Sequence, residues 1–240
     1  VRRASILAAA LLAACAHAPA IATAPEGFEI RQGGGDDDAA RQVARVLPGV
    51  LARVERWGKL PAPVVVRIQP TSAALAAAAG RPGDTWLRGW ARSGTVDIQS
   101  PRTWTRGRAS DEAVATLLTH ELTHCLLFQR MGRGWTLRDV PAWFEEGMAS
   151  FTAEEHHARA DASALVPVAG RPFDAALAYG TADRAFRYLL ARHGDAAVGA
   201  LLDGLSEGRG FAPAFQRATG SPVADFEATL RADLEATAAR

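Results

Sequence analysis

The segment His120-Glu121-Leu122-Thr123-His124 decides how this chain is read. It is an instance of H-E-x-x-H inside a stretch that patterns as a helix. Side chains four apart on a helix stand one above the other on the same face. Two imidazoles at that spacing can hold one zinc ion, and the Glu121 carboxylate beside them can polarise a water. With 6 His and 12 Glu in 240 residues, chance placement gives roughly 0.01 such segments. Apart from Glu121 there is no carboxylate, lysine or arginine between Glu112 and Arg130. A helix that apolar on nearly all sides is expected to be buried. A buried carboxylate between two histidines is costly unless something compensates it, and a metal ion does so. The plainer alternative is a core helix whose histidines only hydrogen-bond.

A second motif follows. Pro141-Ala142-Trp143-Phe144-Glu145-Glu146-Gly147-Met148-Ala149 reads P-x-W-x-x-E-G-x-A. Here the sequence resembles the gluzincin metallopeptidases, which include zinc aminopeptidases and the bacterial peptidase MA-like proteins. The resemblance implies a zincin-like fold and a single zinc ion. It makes Glu146, 22 residues beyond His124, the third ligand beside His120 and His124. That spacing is longer than in the aminopeptidases, and the loop from Gly132 onward can absorb the insertion. Pro141 suits the start of a second helix crossing the first.

The neighbouring Glu145 points about 100° away from Glu146 on a helix, so both cannot face one ion. It is expected to be solvated, or to support a ligand from behind. Thermolysin-like enzymes carry an Asp one turn after the ligand Glu, whereas this chain has Ser150 there. The groups that orient the histidines are therefore expected to differ. By the same resemblance, Ala178-Tyr179-Gly180-Thr181-Ala182 and Arg187-Tyr188-Leu189 match the A-Y-x-x-A and R-Y-L segments of peptidase MA-like proteins. Tyr179, at a glycine-containing helix start, is the candidate oxyanion donor, with simple packing as the alternative. Tyr188, among apolar residues, is expected in the core. The aminopeptidase signature G-x-M-E-N is not found. The implied activity is hydrolysis of peptide bonds with Glu121 as general base, by an endopeptidase or a very restricted enzyme. Two alternatives stand beside it: an inactive scaffolding lipoprotein on the same fold, and hydrolysis of a non-peptide amide.

The N-terminal residues read as an export signal: Arg2-Arg3, then an apolar run from Ile6 to Ala14 too short to span a bilayer. Leu12-Ala13-Ala14-Cys15 resembles a bacterial lipobox, implying cleavage after residue 14, acylation of Cys15 and a membrane anchor. Ordinary signal cleavage near Ala18 or Ala20 is the alternative. Residues 15–25 read as an Ala- and Pro-rich tether. Of the 2 Cys, Cys125 is then left alone in the zinc helix, a small buried hydrophobe with no disulfide partner. The formal charge is +1, and −1 without Arg2 and Arg3. A near-neutral protein has no electrostatic case for nucleic acid.

From residue 26 to 240 the pattern predicts an α+β fold. Its N-terminal lobe, about 26–130, holds a small mixed sheet and helices and ends on the H-E-x-x-H helix; its C-terminal lobe, about 131–240, is helical. Strands are expected at 28–31, 64–68, 85–91 and 95–99, the last two as a hairpin around Arg92-Ser93-Gly94. Asp36-Asp37-Asp38 opens a helix running towards Trp57, with a kink expected at Pro48. Thr71 or Ser72 caps a short helix that Gly80 ends, and Ser110 caps the zinc helix. In zincins a sheet-edge strand beside the active-site helix pairs with extended substrate; by that resemblance the candidate is Val96-Asp97-Ile98. His156 and His157, on a charged stretch, are expected to be solvated.

Overall fold

The computed structural model describes residues 24–33, 35–104, 109–132, 140–165 and 174–238. The residues read as a signal and lipobox, with Cys15, lie outside them. The described residues form an α+β structure of one four-stranded mixed sheet and seven α-helices.

The strands are β1 (Phe28–Gln32), β2 (Val64–Gln69), β3 (Gly89–Arg92) and β4 (Thr95–Gln99). They lie in the order β1-β2-β4-β3, with β1, β2 and β4 parallel and β3 antiparallel to β4. Alternation decides the faces. Val64, Val66, Ile68, Val96 and Ile98 turn inward and are buried. Arg67 and Asp97 pair on the opposite face.

Two expectations need correction here. First, β4 is not the edge strand. Val96 and Ile98 belong to the core, and Asp97 bonds Arg67 on β2, so β4 is drawn between β2 and β3. The edge strands are β1 and β3, and the one beside α3 is β3. Second, β3 begins at Gly89 rather than residue 85. Residues 84–87 form a turn, with Leu87 N bonded to Asp84 O at 3.2 Å. The Arg88 guanidinium holds the Thr85 and Leu87 carbonyls at 3.1 Å each.

Helix α1 (Asp37–Val54) buries Ala39, Val43, Leu47, Val50 and Val54 along one stripe, spaced as helical periodicity requires. Pro48 sits within it on the exposed side. The Asp36 side chain caps it at Ala39 N. Helix α2 (Ser72–Ala78), capped by Thr71, covers the outer face of the sheet. Helix α3 (Asp111–Met131) carries H-E-x-x-H. Ser110 accepts from Ala113 N at 3.1 Å, a cap that stabilises by about 1 kcal/mol. Packed on α1 and β3, α3 buries Val114, Leu118, Leu122, Leu126 and Leu127, each contributing about 1.5–3 kcal/mol.

Helix α4 (Ala142–Thr152) starts at Pro141 and crosses both α3 and α5 (Ala175–Ser206). Gly147, in the E-G pair, lies against the Ala182 carbonyl of α5, and a Cβ there would collide with it. Helix α5 breaks at Gly194, whose φ of 72° is non-helical. Helices α6 (Phe211–Thr219) and α7 (Val223–Ala238) close the domain around Trp143. The ring of Trp143 sits among Phe144, Phe211, Phe215 and Phe226, and its Nε1 donates to Glu227 at 2.8 Å. The tryptophan of W-x-x-E-G thus anchors the N-terminal end of α4 and fixes where Glu146 points.

Candidate metal centre

His120 and His124, one turn apart on α3, direct their Nε2 atoms to the same point, 3.1 Å from each other. Oε2 of Glu146, from α4, stands 3.4 Å from His120 Nε2 and 3.5 Å from His124 Nε2. Three donors placed tetrahedrally around zinc at about 2.0–2.1 Å are about 3.3–3.4 Å apart. The observed triangle has that size. Oε2 of Glu146 is buried with no hydrogen-bond partner. Two ring nitrogens and a carboxylate oxygen facing one another require positive charge between them, either protons or a metal ion. His120, His124 and Glu146 form a group that could hold such an ion.

The electrostatics agree. Burial lowers the affinity of both imidazoles for a proton, yet Glu146 reverses this at both rings, aided by Glu155 at His120. His120 ends well above its ordinary value, and His124 is also raised. Burial would raise the Glu146 carboxyl, but the two histidines outweigh it and hold it below the usual carboxylate range. The cluster favours positive charge at its centre.

Behind the triangle stand two further carboxylates. Glu155 Oε1 lies 3.3 Å from His120 Nδ1, and Glu145 Oε1 lies 3.6 Å from His124 Nδ1. Neither Nδ1 meets hydrogen-bond geometry with its carboxylate, so the two carboxylates act on the rings through their charge, which raises ring basicity. Glu145 is therefore not solvated. Burial pushes its carboxyl up to about 7. The sequence reading missed Glu155 because it stands in Glu154-Glu155-His156-His157, a stretch with the composition of a solvated loop. His157 also departs from expectation. Only 19% of its side chain is exposed, and its Nε2 lies 3.1 Å from Glu155 Oε2 and 3.4 Å from Ser150 Oγ. His156 is exposed, as expected.

Glu121 is buried on the adjoining face of α3, where the backbone of Gly89 passes directly against its carboxylate. Any Cβ at residue 89 would occupy the space of the Glu121 side chain, so only glycine permits this approach of β3 to α3. Burial raises the Glu121 carboxyl. The Tyr179 ring stands at the start of α5, 6.0 Å from the His120 ring and stacked 6.2 Å from that of His157. Burial, then Glu146, Glu121 and Glu155, push its hydroxyl up, so it remains a protonated donor. Tyr188 packs on Phe226 instead. Cys125 is buried and donates to the Arg92 carbonyl at 2.7 Å. Burial pushes its thiol up to about 12, and it takes no part in the triangle.

These groups border a cavity of about 320 Å³, shared by His120, Glu121, His124, Glu146, Tyr179 and the free edge of β3. A larger cleft of about 720 Å³ lies beyond Glu155, lined by Arg53, Arg56, Phe151 and Arg187, and does not reach the triangle. The bond from Gln99 N to Arg88 O sets the phase of the β3–β4 ladder. By alternation, Gly89 and Ala91 turn their N–H and C=O groups away from β4, towards the cavity.

No family model, no curated protein and no solved structure matches this chain.

Proposed function

We propose that this chain is a zinc-dependent peptidase of gluzincin type, exported and held at a bacterial membrane by acylated Cys15. The reading is carried by the triangle of His120, His124 and Glu146, whose edges of 3.1, 3.4 and 3.5 Å suit tetrahedral zinc, with Glu121 beside it. Nitrogen and oxygen donors in that number leave a fourth position for a reactant. Bound there, zinc would supply a Lewis acid that polarises a carbonyl and acidifies a water.

The remaining work belongs to the chain. Glu121, desolvated and raised, is a base tuned to accept a proton from water and return it to the departing amine. Tyr179, kept protonated, is the donor available to an oxyanion. The groups of Gly89 and Ala91 that point away from β4, unpaired among the described residues, suit an extended peptide added to the sheet, whatever its side chains. Glu155 and Glu145 face the outer nitrogens of the two rings and supply negative charge behind them.

Substitution Glu121→Gln keeps the volume of the side chain and removes the base. It is expected to lower turnover of a peptide library by about 10²–10⁴-fold while one zinc per chain remains bound. Retained turnover sinks the general-base role. A zinc-bound wild type that cleaves no peptide, with and without chelator alike, favours the scaffold reading instead. For the anchor, palmitate label is expected on the wild type in a bacterial host and not on Cys15→Ala. Equal labelling of the two refutes it. No helix among the described residues is long and apolar enough to cross a membrane.

A further inference from the structure

The cavity at the metal centre has one guanidinium among its described lining residues, that of Arg81, and the reaction outlined above does not use it. Its position is firmly set. Gly80 closes α2 with a φ of 73°, and the Arg81 N–H bonds back to the Ala76 carbonyl at 2.8 Å. The side chain then crosses two indoles, its Cζ lying 5.4 Å from the ring centre of Trp90 and 5.8 Å from that of Trp86. Trp90 is itself held against Leu75, Ala79 and Leu87. Trp86 stands 45% exposed, a large apolar ring at the mouth of the cavity.

A guanidinium held over indole rings by cation–π attraction keeps N–H donors at its rim for an acceptor. Asp84 lies 2.6 Å from Nε. Among the described residues no acceptor meets the two terminal nitrogens. A fork so presented matches the two oxygens of a carboxylate. The neighbouring strand gives this geometry a direction. Residues of a peptide added to β3 alternate between two faces. One face turns towards Glu121 and the triangle; the other turns to the side of Trp90, where Arg81 stands. The field of Arg81 reaches the reacting groups, since it pulls the Tyr179 hydroxyl down against the burial and carboxylates that raise it.

We propose that Arg81, on its platform of Trp86 and Trp90, is a subsite for a carboxylate of the bound peptide, so that substrates are acidic beside the scissile bond. This rests on the peptidase reading and gives it a substrate class. The carboxylate is that of an Asp or Glu side chain, or the free C-terminus of a short peptide, and both have the chemistry the fork accepts.

The test uses the zinc-loaded protein and internally quenched peptides that differ only as Glu or Gln at each position flanking the cleaved bond. A second arm compares free with amidated C-termini. The wild type is expected to favour the acidic member by about 10- to 100-fold in kcat/KM. Arg81→Met should erase that ratio and Arg81→Glu should invert it. The arm that shows the preference identifies the source of the carboxylate. The same peptides are titrated against Glu121→Gln, following quenching of tryptophan fluorescence, so that binding is read without turnover. Binding that discriminates by charge and depends on Arg81, with no cleavage by the wild type, overturns the peptidase reading and supports the subsite. Equal handling of Glu and Gln peptides, a preference that survives Arg81→Met, or no binding of any peptide overturns the subsite. If Arg81→Met does not fold, Arg81→Lys keeps the charge without the fork and must cut the ratio several-fold; an unchanged ratio overturns the proposal.

Discussion

Two buried charge clusters sit on either side of β3 and β4, and they are finished to different degrees. On the outer face, the fully buried Asp97 has both oxygens used. Gln69 Nε2 donates to one at 2.8 Å; Arg67 and Arg92 hold the other at 2.6 and 3.1 Å. The orphan atom there is Arg67 Nε, a donor that no cation would satisfy. On the inner face, the triangle leaves Glu146 Oε2 without a partner and turns two acceptor-capable nitrogens towards it. A network that closes on its own side chains has structural work only. One that needs positive charge between its donors, as protons or as a metal ion, could hold a ligand. Burial and charge alone do not separate the two clusters; the kind of atom left over does, a lone N–H donor on the outer face and a carboxylate oxygen facing two ring nitrogens on the inner.

The largest expected effects test this contrast directly. Asp97→Ala strands two guanidiniums, and breaking a buried ion pair costs about 3–5 kcal/mol. Arg67 and Arg92 are 39% and 42% exposed, which puts the expectation at the lower end. The loss should be the same with zinc and with chelator. Glu146→Gln should behave oppositely. Its bound zinc should fall well below one per chain. The stabilisation that zinc gives the wild type, about 2.7 kcal/mol at a hundredfold excess over Kd, should vanish. Thermal melts with and without zinc read both. A zinc-dependent penalty for Asp97→Ala, or a normal zinc response from Glu146→Gln, would erase the distinction drawn between the two faces.

How far each cluster could be read from the residues follows from its range along the chain. His120, Glu121 and His124 are set by the pitch of one helix, so their convergence is visible in the sequence. Glu146 lies on the next helix, and a motif signals it. The cap at Ser110 and strands β1 and β2 are likewise local. The order of β3 and β4 is not local: it depends on how the crossover through α2 lays the hairpin beside β2. A strand reading Val96-Asp97-Ile98 fits an edge or an interior position equally until Arg67 is seen across from Asp97. Glu155 and Arg81 escaped for the same reason. Both stand in polar stretches, and only the return of the chain past α3, in one case, and the turn at Gly80, in the other, bring them to the cavity. Gly89 gives no signal at all, since its meaning lies in a carboxylate 32 residues further on.

The smallest expected effect asks how much of the inner cluster belongs to the site and how much to the fold. Glu155→Gln keeps the shape of the side chain and its hydrogen-bonding capacity. It removes the charge that faces His120 Nδ1 at 3.3 Å and His157 Nε2 at 3.1 Å. If Glu155 completes the triangle from behind, zinc affinity should fall by about 10- to 100-fold in a competition titration. The melt of the chelated protein should move far less than it does for Asp97→Ala, because 22% of the Glu155 side chain is exposed whereas Asp97 is fully buried. The reverse pattern, unchanged zinc affinity with a large loss of chelated stability, would place Glu155 with Asp97 among the structural charges. The inner cluster would then be no more than three ligands on a scaffold, and the orientation of His120 would have to come from its packing against Tyr179.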